Sequence, residues 1–357
     1  VYPALAVVPA LKQQLAETEI LWVGSIGGME QALVERAGLP FNPIPAGGLR
    51  GKNPAASLAG LWSLGRGYRR SRQIIRYFRP DAIFVTGGYV CVPVSLAAYR
   101  LGIPILIYLP DLEPGLAIKF LARLARRVAV TAPEAQAFFK PGLTVVTGYP
   151  VRPELFAPAA GPALKLAARQ ALGLAEELPL LLVYGGSRGA RSINQAVTGQ
   201  LEALLAVGQI LHVTGSLDEG WVRARRAALT PAEQGRYQVR AYLHEEMVPA
   251  LQAADLVIAR AGASVLGEFP AVGLPAILVP YPYAGAHQAL NAAYLAGHQA
   301  AVIIEDGALP ERLTQTVVDL LTDRPRLQEM SQAASRLAKP EATSHLAREI
   351  ARVSNYG

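Results

Sequence analysis

Short apolar runs alternate with amphipathic stretches along almost the whole chain, and this alternation limits the fold more than any other feature. In the first half the strand-like runs fall at residues 20–23, 82–86, 104–108 and 144–146. In the second half they fall at 180–184, 210–214, 238–241, 256–259, 276–279 and 301–304. Helical periodicity fills the intervals, as at 192–206 and 311–321. Brief apolar runs, each followed by a helix, suit strands buried on both faces of a parallel sheet. The expected class is therefore α/β, with doubly wound sheets. A chain of 357 residues exceeds the usual size of one core. The Pro- and Ala-rich RPELFAPAAGPA, starting at Arg152, breaks the rhythm and reads as a linker. We expect one domain over 1–150, a second over 151–340, and a C-terminal helix over 341–357 that packs back on the first.

Composition narrows the partners. Residues 271–304 contain no Asp, Glu, Lys or Arg, a length that could span a membrane. Pro275, Pro280 and Pro282 break the run, and Gln288, Asn291 and His298 make it polar, so it reads as strand, loop and helix. A single cysteine, Cys91, excludes an internal disulfide and suits a reducing compartment. Residues 1–150 carry 16 Lys and Arg against 8 Asp and Glu, a balance of +8, whereas the remainder stands at −1. The basic half therefore suits an anionic surface or substrate, and nothing in the sequence calls for nucleic acid.

Four loops at strand ends carry chemistry. In LPLLLVYGGSRGARSINQ a strand runs into Gly185, Gly186, Ser187 and Gly189, and a helix is expected over 190–206. Glycines let backbone approach a ligand closely, and a helix start offers free N–H groups and partial positive charge for a phosphate. A plain tight turn explains the same glycines. The motif is neither GxGxxG nor GxxxxGK[ST], which disfavours dinucleotide and P-loop readings. IFVTGGYVCVP places Gly87, Gly88 and Tyr89 before a helix starting near Pro93. VIARAGASVLGE places Glu268 one turn into a helix, where a carboxylate could accept from both hydroxyls of a ribose or simply sit on the helix surface. VPYPYAGAHQALNA sets His287, Gln288 and Asn291 on adjacent turns, each readable alone as a solvated polar side chain.

The first residues, VYPALAVVPALKQQL, have helical spacing and no capping residue in front. In a doubly wound domain each helix follows a strand. One strand and one strand-to-helix loop are therefore expected to belong before Val1, on the side of the sheet that commonly binds ligand.

Taken in order, GGLRGK at 47–52, GGY at 87–89, GYPVR at 148–152, GGSRGARSIN at 185–194, RAGAS at 260–264 and HQALNA at 287–292 resemble one family. They are similar to the peptidoglycan N-acetylglucosaminyltransferases (MurG) of glycosyltransferase family 28, over essentially the whole chain. The resemblance implies the GT-B fold, two Rossmann-like domains facing a cleft. It implies inverting transfer of N-acetylglucosamine from UDP-N-acetylglucosamine to the undecaprenyl-diphosphate-linked muramyl-pentapeptide, giving lipid II, with no cofactor and no metal. By the same resemblance Gly185, Gly186, Ser187 and Gly189 form the phosphate loop and Glu268 holds the ribose. Leu243 frames the uracil through backbone groups. Ala263, Ser264, Val265, Leu266 and Gly267 lie beside the diphosphate and ribose, and Gln288 and Arg152 complete the donor site. Arg50, Gly87, Gly88 and Tyr89 fall on the acceptor side. The lipid-linked acceptor gives the segment 56–80, ASLAGLWSLGRGYRRSRQIIRYFRP, a matching role. Trp62 and its leucines beside an arginine cluster suit an anionic inner-leaflet surface at the cytoplasmic face of the membrane, although a half-buried helix with a solvated basic face fits as well. Gly65 and Gly67 weaken a continuous helix there.

The chain departs from the family at three places. The GGTGGH-type loop that precedes the VYPAL helix elsewhere is absent, so the chain is expected to bind donor but lack normal turnover. YLPDLEPG stands where the family has a HEQN-like run, putting Leu109 for Glu and Asp111 for Asn. Asp111 is thus a donor-side and candidate-base position, or a loop-capping residue. RAGASVLGE lacks two family hydroxyls, and Tyr149 replaces an Asn. These departures keep two alternatives open, a related GT-B transferase with another lipid acceptor such as diacylglycerol and a non-catalytic nucleotide-sugar-binding homologue.

Overall fold

The computed structural model describes residues 1–15, 17–28, 30–46, 54–156, 161–186, 189–283 and 287–355; the side chains of 54–59 and 61 also lie outside the described set. The chain forms two compact units, Val1–Val151 with Glu341–Gly357, and Arg152–Pro340.

The first unit runs α1 (Tyr2–Gln14), β1 (Trp22–Ser25), α2 (Glu30–Arg36), β2 (Phe41–Ile44), α3 (Pro54–Phe78), β3 (Ile83–Val85), α4 (Cys91–Arg100), β4 (Ile105–Leu109), α5 (Leu116–Leu121), β5 (Arg127–Val130) and β6 (Thr144–Val146). Every strand pair is parallel, as the alternation predicts. The strands form two separate ladders, β1-β2 and β3-β4-β5-β6. A cavity of about 1280 Å³ is lined both by β1 and by β3. Strands β2 and β5 carry no strong run in the sequence. Pro43 interrupts β2, and Arg127 opens β5.

Helix α3 is continuous over 25 residues despite its glycines. Its buried face explains this. A side chain at Gly67 would place its Cβ 2.3 Å from the Pro45 carbonyl oxygen, so Gly67 serves close backbone approach rather than a bend. Ser71, Ile74 and Ile75 on the same face are buried. Arg66, Arg69, Arg70, Arg72 and Arg76 are exposed on the other, with Trp62 and Tyr77.

The second unit runs α6 (Pro162–Ala171), β7 (Leu180–Tyr184), α7 (Arg191–Gly199), α8 (Leu201–Val207), β8 (Gln209–Val213), α9 (Glu219–Ala227), α10 (Pro231–Arg236), β9 (Tyr237–Arg240), α11 (Met247–Ala253), β10 (Leu256–Ala259), α12 (Val265–Val272), β11 (Ala276–Leu278), α13 (His287–Gly297), β12 (Ala301–Ile303), α14 (Leu309–Thr322) and α15 (Arg324–Arg336). One six-stranded parallel sheet results, in the order β12-β11-β10-β7-β8-β9. The helix expected over 190–206 is two, broken at Gln200, whose φ of −125° leaves the helical region. The linker begins as a 3₁₀ turn over Pro153–Phe156.

The last helix, α16 (Ala342–Ser354), belongs to the first unit. Its Leu346, Ala347, Ile350 and Val353 pack with Val7 and Leu11 of α1 against Leu106 and Tyr108 of β4. The spacing of those four residues puts them on one helical face, and each large aliphatic side chain buried there contributes about 1.5–3 kcal/mol. Among the described residues no helix is long and apolar enough to cross a membrane, and the described part of 271–304 contains the end of α12, then β11, α13 and β12.

Candidate functional site

Strand β7 lies inside its sheet, paired with β10 on one side and β8 on the other. All five of its residues are buried, so the chain can leave only at the ends, and the carboxyl end opens into the glycine loop. The turn closes by a hydrogen bond from the Gly189 amide to the Gly186 carbonyl at 3.0 Å. Gly189 has φ +75°, and a Cβ there would stand 2.2 Å from the Thr214 carbonyl oxygen, so no other residue fits without moving the backbone. Helix α7 starts directly after, with Ala190 as its N-cap and no side chain capping it. Its first-turn amides therefore keep donors for an external acceptor, reinforced by the helix dipole. Gly185 and Gly186 belong to this turn; Ser187 lies outside the described residues.

The neighbouring strand β10 leads through Arg260, Ala263 and Ser264 into α12, and Glu268 stands in the first turn of that helix. Its amide donates to the Ser264 carbonyl at 2.8 Å. Burial pushes the Glu268 carboxyl above its ordinary range; a hydrogen bond from the Ser264 hydroxyl and the charge of Arg152 offset part of this. Glu268 is half-buried. Val265, Leu266 and Gly267 are buried, so the two side chains belong to the core and only their backbone remains for a ligand. Leu243, after β9, is buried in the same way.

Strand β11, next to β10, leads toward α13. Gln288 is held by an amide hydrogen bond from Tyr281 to its Oε1 at 2.9 Å. Asn291 is fully buried and donates to the Ala261 carbonyl at 3.0 Å, which corrects its reading as a solvated side chain. A cluster missed by the sequence reading ties the loops together. Arg260 donates to Ser192 Oγ of α7 at 2.7 Å, pairs with Asp306 at 2.5 Å, and reaches the Val279 carbonyl at 3.2 Å. Its guanidinium also lies 5.4 Å from the Tyr281 ring centroid. The RAGAS motif named Arg260, but Asp306 stands 46 residues further on with no motif around it.

Gly87, Gly88, Tyr89 and Asp111 belong to the first unit. Gly87 and Gly88 have φ of +107° and +86°. Tyr89 is exposed. The Cys91 thiol donates to the Gly87 carbonyl at 2.7 Å, and burial raises it to about 11, too high for a thiolate nucleophile near neutrality. Asp111 follows β4 and is half-buried. Behind it, the buried Tyr108 hydroxyl contacts Thr131 Oγ1 at 3.0 Å and the Gly148 carbonyl at 3.3 Å. The Tyr108 and Tyr149 rings meet edge-on at 6.5 Å. Arg50 lies outside the described residues. Among those described, no group of three His, Cys, Asp or Glu side chains could hold a metal ion.

Residues 1–130 match the glycosyltransferase family 28 N-terminal domain, and residues 180–346 match the family 28 C-terminal domain. The chain belongs to glycosyltransferase family 28. Relatives within that family are similar over nearly the full length. A Roseiflexus UDP-N-acetylglucosamine--N-acetylmuramyl-(pentapeptide) pyrophosphoryl-undecaprenol N-acetylglucosamine transferase is 42% identical, over 97% of this chain and 91% of its own. The transferase of the same name from Desulforudis audaxviator is 40% identical, over 100% of this chain and 96% of its own. The crystal structure of Acinetobacter baumannii MurG superposes with a TM-score of 0.74 at 28% identity, covering 98% of this chain and 95% of that one. The two Rossmann-like units of the family 28 chain are those of the GT-B fold expected from its motifs.

Proposed function

We propose that this family 28 enzyme transfers N-acetylglucosamine from UDP-N-acetylglucosamine to the muramyl 4-hydroxyl of undecaprenyl-diphosphate-linked muramyl-pentapeptide. The reading is carried by the convergence of an uncapped helix start after β7 and a half-buried carboxyl, Glu268, after the adjacent strand β10. The α7 amides offer donors to a diphosphate, and Glu268 offers an acceptor to ribose hydroxyls. The relatives' names give the sugar and the acceptor.

The reaction follows from those positions. The acceptor oxygen attacks C1 of the sugar as the bond from C1 to the diphosphate oxygen breaks, with inversion at C1. Negative charge grows on the departing diphosphate, where fixed amide donors stabilise it most. The acceptor's hydroxyl proton passes to a base, for which Asp111 is the first unit's candidate. An Asp111→Asn variant would then lose turnover with donor affinity kept; equal turnover would remove Asp111 from this role. The exposed arginine face of α3, with Trp62 and Tyr77 beside it, supports peripheral contact with an anionic inner-leaflet membrane. Replacing Trp62, Arg69, Arg70 and Arg72 together should abolish binding to anionic liposomes.

The deciding experiment incubates the full-length protein, first glycine loop included, with radiolabelled UDP-N-acetylglucosamine and the lipid-linked muramyl-pentapeptide. Label should enter the lipid fraction with release of UDP. Transfer to diacylglycerol instead, or donor binding without any transfer, would contradict the reading.

A further inference from the structure

Beneath the glycine loop lies a chain of hydrogen bonds that joins four segments of the second unit. Tyr237 of β9 contacts His212 Nδ1 of β8 at 2.8 Å, and His212 Nε2 lies 3.0 Å from Asn194 Oδ1 of α7. Asn194 Nδ2 donates to the Thr214 carbonyl and to Asp218 Oδ2, both at 2.9 Å. Asp218 Oδ1 accepts from Arg191 Nε at 3.0 Å and Nη2 at 2.8 Å. Tyr237, His212 and Asn194 are wholly buried, and Asp218 is nearly so.

Chemistry fixes the direction of each bond. A carbonyl and a carboxylate only accept, so the Asn194 nitrogen must face Thr214 and Asp218. Its oxygen is then left facing His212, and an amide oxygen also only accepts. His212 must carry its proton on Nε2. Its Nδ1 must accept, and the Tyr237 hydroxyl donates. Burial lowers His212 to about 3, with only partial opposition from the Asp218 charge, so the ring stays neutral in this one tautomer. Desolvation works against Asp218, but hydrogen bonds from Arg191, Trp221 and Asn194 keep its carboxyl below the ordinary range.

The chain ends on the loop. The Thr214 carbonyl that Asn194 clamps is the group against which Gly189 packs. Arg191 and Asn194 lie in the first turn of α7, whose amides are the proposed diphosphate donors.

We infer that His212 is a positioning residue for the donor diphosphate, acting by fixing the side-chain orientation of Asn194 and through it the Thr214 carbonyl, Gly189 and the first turn of α7. The inference rests on the reading of loop 185–189 as the diphosphate site. It gives a core histidine a task that a hydrophobic side chain could not perform.

Two substitutions separate positioning from packing. A Gln at 212 can present an N–H where Nε2 stands, whereas an Asn reaches only the position of Nδ1. The Kd for UDP is measured by calorimetry on the full chain, with Tm measured alongside. His212→Gln should stay close to the parent, and His212→Asn should weaken UDP about tenfold. Both should lower Tm, and the core variant Leu204→Ala, which lowers Tm but removes no member of the hydrogen-bonded chain, should keep the parental Kd. Equal Kd for the Gln and Asn variants, or a similar loss in Leu204→Ala, would overturn the inference. Gly189→Ala tests the underlying reading: if it leaves UDP binding unchanged, the diphosphate site itself is wrong. If it weakens binding and His212→Asn does not, only the positioning role fails. Should His212→Asn not fold, the ¹⁵N spectrum of the parent decides. It should show a protonated Nε2 and an unprotonated Nδ1 whose resonances move when UDP is added; the opposite tautomer, or no movement, would refute the role.

Discussion

The two units use the same strand–helix unit but support their strand-end loops differently. In the second, β7 has a neighbour on each side, and both hold the loop that follows it. Gly189 packs on Thr214 beyond β8, and Ser192 bonds Arg260 beyond β10. In the first, Gly87 and Gly88 follow β3, which pairs with β4, and no atom lies within 4 Å of a Cβ added at either glycine. Glycines become a rigid anion site when the strand carrying them is fixed on both flanks. Gly87 and Gly88 meet only the constraint of their positive φ.

Substitution of one glycine in each unit should sharpen this contrast most. Gly189→Ala meets both a left-handed φ and the Thr214 carbonyl. It should weaken UDP by about a hundredfold in calorimetry and cost about 3 kcal/mol in denaturant unfolding. Gly88→Ala meets only its φ of +86°, with no atom within 4 Å of the new Cβ. A loss of about 1 kcal/mol is expected there, with unchanged UDP affinity.

The ion clusters of the two units offer a second comparison. Asp255 accepts from Lys165, from the buried Arg169 and from the Leu180 amide that starts β7, at 2.5 to 2.6 Å. Asp255→Ala leaves Arg169 buried without its carboxylate and should cost about 3 kcal/mol. Glu349 pairs with Arg127 and Arg352, both substantially exposed. Glu349→Ala should cost about 1 kcal/mol, because solvent screens its partners. Equal losses would contradict the greater rigidity assigned to the second unit.

Acidity supplies a smaller effect. Glu268 has its folded pKa raised, so it takes up a proton at higher pH than an ordinary Glu as pH falls. The proposed ribose contact needs the carboxylate, so donor affinity should fall a few-fold as pH falls through that raised value. Its effect on stability has the opposite sign, present at low pH and lost as pH rises through the folded pKa. Glu268→Gln should bind the nucleoside weakly with that pH dependence removed. Smallest of all, Tyr108→Phe in the first unit removes the hydroxyl contacts to Thr131 and Gly148. It should cost about 1 kcal/mol and leave UDP affinity alone.

Much of this was legible in the residues because a buried parallel strand is a continuous apolar run, and 180–184 with the glycines after it is such a run. Strand β2 was hidden by Pro43, which an edge position tolerates, and β5 by the charged Arg127 at its start. The break between α7 and α8 had a signal in Gly199, a poor helix-interior residue. The His212 chain was not legible, since its members lie on four separated segments and each looks ordinary alone. A histidine inside the apolar run ILHV was the one local clue, because a polar side chain at a buried strand position needs partners. Asn291 carried the same kind of clue only through its depth, which sequence spacing does not give.

Hydrogen exchange on the full chain, with and without UDP, tests the central claim most directly. The account predicts slowed exchange at 185–194 and 260–268 in the second unit, with the first-unit loop 87–89 unaffected. Slowed exchange at 87–89 with no change at 185–194 would contradict it.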